Sequence, residues 1–196
     1  YNIDFKVVNV ADYSVPQRRK RLVLVGSRIC NIEIAEGDNT VITVREALRK
    51  LKETDNQDML HKIYPHHTEH IQKMISLIPK DGGSRKDLPS EYLLKCHRKK
   101  NIGFKDVYGR LSWDCVSPTI TGGCLNPSKG RFLHPEENRC ISAREAALLQ
   151  TFPINYKFPI DMPKADIALL IGNALPPEFT RIQARNIYQH IEKNNI

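Results

Sequence analysis

Four consecutive basic residues, Arg18, Arg19, Lys20 and Arg21, stand directly in front of an apolar run, Leu22 to Val25, in the stretch SVPQRRKRLVLVGSR. An arginine is always charged, and its planar guanidinium forks onto phosphate oxygens or a carbonyl. Rooted at the end of a strand, such groups grip an anion more firmly than a free loop would. Read plainly, the cluster is also a solvated basic face capping a strand, the simpler account of Arg18 and Lys20. Other groups that could meet an anion are Arg85, Lys86 and the run KCHRKK at 95–100. The pairs Gly82-Gly83 and Gly122-Gly123 either bring main chain close to a ligand or form ordinary turns. His66, His67 and His70 invite a metal reading, with 66 and 70 on one helical face. No cysteine or carboxylate cluster lies near them, so no metal is expected. The five cysteines, Cys30, Cys96, Cys115, Cys124 and Cys140, contain no C-x-x-C pair. They support neither a disulfide frame nor a zinc site, and reduced thiols are expected.

These groups need elements to hold them. Residues 4–10 and 21–26 alternate or run apolar as strands do, with Gly26 ending the second and Pro16 punctuating the loop between. Thr43 with Glu46 three residues on is a capping box opening a helix whose apolar face is Ala47, Leu48 and Leu51. Ile71, Met74, Ile75 and Ile78 recur at helical spacing, so 68–78 is a helix stopped by Pro79. Gly82-Gly83 makes KDGGSRKDLP a loop, and 101–133 reads as short strands and turns. Ser142 and Glu145 open another helix, which must stop before Pro153. A helix at about 164–171 is expected to close on Gly172 as a left-handed cap. Pro176-Pro177 then starts a last helix with Phe179, Ile182, Ile187 and Ile191 on a broad apolar side.

The chain has 196 residues and is 40% hydrophobic, enough for one domain or two small ones. Its net charge of +8 suits an anionic partner, nucleic acid being the usual one. No run approaches the roughly 18 apolar residues of a membrane span. The strand-like start excludes a secretory leader, and a cytoplasmic location is expected. Tyr1 opens straight into YNIDFKVVNV with no initiator Met, which reads as the middle of a domain, so a fragment is expected.

Three segments in order resemble the DNA cytosine-5 methyltransferase family. SVPQRRKRLVLVGSR is similar to the family's Pro-Gln-x-Arg-x-Arg block. RLSWDCVSPTITGG followed by HPEENRCISAREAALLQTFPINYKF resembles a late block, including His134-Pro135, Arg139, Arg144-Glu145, Gln150 and Phe152-Pro153. IGNALPP resembles the final Gly-Asn-x-x-Pro-Pro block. The intervening region looks like the family's target-recognition segment. The family's Pro-Cys nucleophile, Glu-Asn-Val block and Gly-rich loop for S-adenosylmethionine do not occur in this sequence.

The resemblance implies a mixed α/β fragment, the C-terminal part of a Rossmann-like methyltransferase dependent on S-adenosylmethionine. Its last catalytic strands would occupy 1–30, an inserted target-recognition domain 31–133, and closing helices 134–196. Its partners would be double-stranded DNA, the N-terminal catalytic part of the same protein and a cognate restriction endonuclease in the same system, with no membrane. A cytosine in a duplex must be extruded before its C5 can be reached. By resemblance, Gln17, Arg19 and Arg21 form the catalytic block, with both arginines facing the extruded nucleotide and Arg21 stabilising the anionic adduct. Thr119 would touch the backbone beside the flipped site, although alone it reads as a β-branched strand residue. Arg18, Gly82, Gly83, Arg85, Gly122 and Gly123 are DNA-contact candidates. Asn173 and Ala174 would help close the cofactor pocket, an Asn assisting a helix end being the plainer account. Specificity is expected between about 80 and 125. A non-catalytic DNA-binding subunit, or one half of a split methyltransferase, is the rival reading. An RNA-binding domain explains the charge but not three ordered blocks.

Overall fold

The structure is a computed structural model that describes residues 1–53, 58–98 and 106–194. Lys99 and Lys100 of the expected basic cluster lie outside the described residues. The architecture is mixed helix and strand. Strands β1 (Asn2–Asn9) and β2 (Lys20–Ser27) form a two-stranded antiparallel sheet. Its register pairs Phe5 with Leu24 and Val7 with Leu22. Gly26 does not end β2, because it still pairs with Ile3 and the ladder closes at Ser27.

One face of this hairpin is covered. Val8, Val10, Tyr13, Val15, Ile34 and Phe179 make a buried cluster, with Val23, Val25 and Ile182 packed against it. Phe179 and Ile182 belong to α5 (Pro177–Lys193). The Tyr13 and Phe179 rings meet edge to face at 4.8 Å. The far end of the helix is different: Ile187 and Ile191 remain 40% and 37% exposed, so the apolar side expected there is only half used.

The larger core runs without a break from Val44 to Ile171, across the position 133/134 at which the sequence suggested a boundary. Into it project α1 (Val44–Arg49), α2 (Glu69–Leu77), α3 (Ala143–Leu149) and α4 (Lys164–Asn173). The capping boxes at Thr43/Glu46 and Ser142/Glu145 both form, each satisfying backbone N–H groups that a helix start leaves without partners. Helix α2 sends Met74 and Ile75 inward, as its spacing requires. The described part of 101–133 contains no strand. It is turns, a single 3-10 turn at Pro127–Lys129 and isolated bridges such as Arg110 to Leu133 and Leu133 to Cys140.

A buried arginine organises this region. The Arg110 side chain is fully buried and donates to the carbonyls of Ile75 and Ile78 at the open C-terminal end of α2. It also reaches the carbonyls of His134 and Glu137 and the Asn138 Oδ1. Burial lowers its affinity for a proton, and the ring of carbonyls keeps the charge tenable.

Gly172 is not the left-handed cap the sequence suggested. It lies inside α4, which continues to Asn173. Its lack of a side chain serves contact instead: a Cβ there would sit 2.0 Å from the Thr121 carbonyl carbon and 2.2 Å from the Gly122 nitrogen.

Candidate functional site

At the mouth of β2 the chain lies beside a distant segment. Arg18 N donates to Ser117 O at 2.9 Å, Ser117 N donates to Pro16 O at 3.1 Å, and Gln17 bridges Ser117 in parallel. Thr119 Oγ1 closes the pairing by donating to Arg18 O at 2.7 Å. Extended backbone sends successive side chains to opposite sides. Arg18 and Lys20 are exposed, whereas Gln17 and Arg19 are buried.

The outward side opens into a cleft of about 630 Å³. Arg18 and residues 115–119 form one wall, and the Gly82 turn with Arg131 forms the other. The second wall is braced. Arg131 Nη1 donates to the carbonyls of Gly82, Gly83 and Arg110. Gly82 N donates to Leu111 O, and Arg110 N to Gly83 O. The Asp81 carboxylate accepts from Ser112 Oγ and Trp113 N. Gly82 has φ +93°, and a Cβ on Gly83 would meet Pro79 O at 2.1 Å. The pair is therefore needed to fold the turn itself. Arg131 also stands 3.6 Å from the Asp106 carboxylate.

The inward side is a buried polar network. Arg19 Nη1 donates to Ile120 O at 2.8 Å and to Gly172 O at 2.9 Å. Its Nε is buried with no hydrogen-bond partner. Burial, then the nearby positive charge of Arg21, lowers the Arg19 pKa. Gln17 Nε2 donates to Gln150 Oε1, and Gln17 Oε1 accepts from Ile120 N. Arg21 is exposed and donates to Lys20 O.

The cleft thus gathers Arg18, Gly82 and Thr119 from the sequence-derived candidates. It does not gather the rest. Arg19 is turned inward onto carbonyls rather than outward toward a nucleotide. Arg85 is only 5% exposed, so it is not offered to a phosphate as its charge suggested. Gly122 and Gly123 line a separate pocket of about 290 Å³, with Leu125, Lys129 and Ala168. Asn173 is exposed at the end of α4, and Ala174 is half-buried and extended. The side-chain amide of Asn173 offers a donor and an acceptor at an open corner, which fits the amino-acid end of S-adenosylmethionine. Arg131 and Gln150 were missed as site residues. Arg131 carries no motif, and Gln150 stood inside the late block with no role assigned to it.

Behind the cleft, Glu145 is buried with Arg139 forked onto it at 2.8 Å through both terminal nitrogens. Burial would raise the Glu145 carboxyl, but hydrogen bonds and charge from Arg139 hold it below its usual range. His134 Nδ1 accepts from the backbone of Glu136 and Glu137, which leaves its proton on Nε2, 3.6 Å from Glu145. Burial lowers the pKa of this histidine, and Glu145 offsets part of that. Cys124 and Cys140 are buried, and burial pushes the Cys124 thiol up to about 12. Among the described residues, no helix is long and apolar enough to cross a membrane.

The C-5 cytosine-specific DNA methylase model matches residues 1–189. The Type II methylase M.HgiDII of Herpetosiphon aurantiacus is 36% identical, over 98% of this chain and 57% of its own length. The Type II methyltransferase M.Eco47II of Escherichia coli is 31% identical, over 97% of this chain and 46% of its own length. The chain therefore spans about half the length of the curated relatives it matches. A prophage-encoded E. coli structure described as a DNA modification methyltransferase superposes with TM-score 0.55 at 18% identity. It covers 98% of this chain and 61% of that one, a likeness of fold. With a family match that takes in every element from β1 to most of α5, this chain belongs to the C-5 cytosine-specific DNA methylase family.

Proposed function

We propose that this chain is the DNA-holding, C-terminal part of a DNA cytosine-5 methyltransferase. It grips a duplex in the cleft between Arg18 and the Gly82 turn and helps hold an extruded cytosine for methylation at C5. The observation that carries this reading is the cleft itself. Arg18, Gly82 and Thr119 are far apart in sequence and line one groove in a chain of charge +8. Arg18 supplies an exposed fork for a phosphate, and Thr119 fixes the backbone that carries it. Arg21, exposed beside the buried Arg19, would meet charge that develops on the base. Residues 31–133 would recognise the site. Asn173 and Ala174 would hold the amino-acid end of S-adenosylmethionine, which supplies the methyl group.

Two further observations support a partner segment that brings the thiol and most of the cofactor pocket. No cysteine in the sequence follows a proline. The outward face of the hairpin is apolar and open: Ile3, Phe5, Val7, Leu22 and Leu24 are each more than half exposed. A two-stranded sheet with a bare apolar face needs a covering layer for stability. The relatives, being about twice as long, have the chain to supply one.

The test is bisulfite sequencing of DNA from cells expressing the full-length gene. Protection of one cytosine in one short recurrent sequence is expected. Genomic DNA with no protected cytosine refutes the reading.

A further inference from the structure

Gln150, the residue that ends α3, is fully buried and joins two surfaces without lining either. Its Oε1 accepts from Gln17 Nε2 at 2.8 Å, and its Nε2 donates to Ile171 O at 2.8 Å. Gln17, also fully buried, accepts from Ile120 N at 2.7 Å. A continuous path therefore runs from Ile120, buried next to the cleft wall at 115–119, through both amides, to Ile171 in the last turn of α4. Both amides are locked in orientation. Ile120 N can only donate and Ile171 O can only accept, so flipping either glutamine would set like against like. Arg19 spans the same gap in parallel, from Ile120 O to Gly172 O. The backbones of Thr121 and Gly172 touch where a side chain would not fit.

We infer that Gln150 is a positioning residue that, through the buried Ile120, holds the DNA-facing wall at 115–119 in register with the corner at Asn173 and Ala174. This rests on the function proposed above, in which one surface meets DNA and the other meets S-adenosylmethionine. Gln17 and Gln150 each pair through both amide atoms, and removing one leaves its buried partners without hydrogen bonds. The wall and the corner then lose their common reference. Each ligand loses the surface shaped for it, although neither touches the altered residue.

The experiment uses the full-length enzyme with S-adenosylmethionine and duplex DNA carrying its methylated sequence. Gln150→Met keeps the side chain's length and removes both hydrogen bonds. It is expected to raise the Kd for S-adenosylmethionine and the KM for DNA together, each roughly tenfold, the effect of about one buried hydrogen bond. Ile141→Val, a core change of comparable thermal destabilisation, is the control and should move neither constant. Gln150→Glu adds a signature that a purely structural role lacks. Its carboxylate can still accept from Gln17 but cannot donate to Ile171 O until protonated, so its affinity for S-adenosylmethionine relative to wild type should recover as pH falls. Wild-type constants in Gln150→Met, or equal losses in the control, overturn the inference. If Gln150→Met does not fold, a flat pH ratio in Gln150→Glu overturns it. A wild-type enzyme that methylates nothing would instead refute the underlying function.

Discussion

At the mouth of β2 the side chains alternate, so that Arg18 and Lys20 reach solvent while Gln17 and Arg19 enter the protein. The basic cluster is therefore two things: an exposed grip and a buried tie. Arg21, one position into the strand, is exposed close enough to Arg19 for its charge to be felt there. In the full-length enzyme, Arg21→Ala should lower kcat by about a hundredfold while weakening DNA binding only a few-fold. A contact that strengthens in the transition state shows in the rate. Lys20→Ala should leave both within twofold. Single-turnover kinetics alongside equilibrium binding decide, and equal losses from the two variants would make the cluster a generic phosphate patch. The sequence marked these positions by charge but could not sort them. Which arginine faces inward depends on residues 117–120, a hundred positions away, whose backbone sets the pairing.

The helices were legible where local chemistry decides. Both capping boxes and the apolar face of α2 follow from neighbours within one turn. The described part of 101–133 and Gly172 were not, because both are shaped by distant contacts: Arg131 ties the former to Gly82 and Arg110 ties it to Ile75, and Thr121 crowds the latter. Glu145 on α3 and His134 beside it form a pH-sensitive pair. Glu145 binds its proton less readily in the fold because of Arg139, and burial disfavours the charged form of His134. Both groups thus take up protons more easily when unfolded, so acid favours unfolding. Melting temperature should fall as pH drops below about 6.5, where an unfolded histidine begins to charge, and further below about 4.5 as carboxylates protonate. Glu145→Gln should cost about 2 kcal/mol at neutral pH, because Arg139 exchanges a buried carboxylate for a neutral amide while keeping Glu137 at 2.7 Å, and differential scanning calorimetry reads both effects. Among the loops, exchanging 80–125 for the same stretch of a relative should move methylation to the donor's site. Arg131 must be kept, since it braces the Gly82 turn from outside that window. A folded, active chimaera that retains the original site would place the determinants in the helices at 43–78.

Taken whole, the molecule has a continuous core from Val44 to Ile171 and a smaller one under the hairpin, covered on one side only. Incubated alone with DNA and labelled S-adenosylmethionine, this chain should transfer no methyl group above a buffer blank. It should still bind duplex DNA weakly, with affinity falling steeply across a salt titration as phosphate contacts release counterions. Arg18→Ala should reduce the log–log slope by about one. Transfer by the isolated chain would place the nucleophile within it, and a flat salt titration would remove the electrostatic role of the cleft. The bare face of the hairpin has a consequence inside a cell. Open apolar strands are what holdase chaperones and proteases seize, so a ribosome product consisting of this stretch would be cleared rather than accumulate. Any cell that makes it as a separate polypeptide must make the cover in equal number, and the scarcer of the two would set how much of either survives.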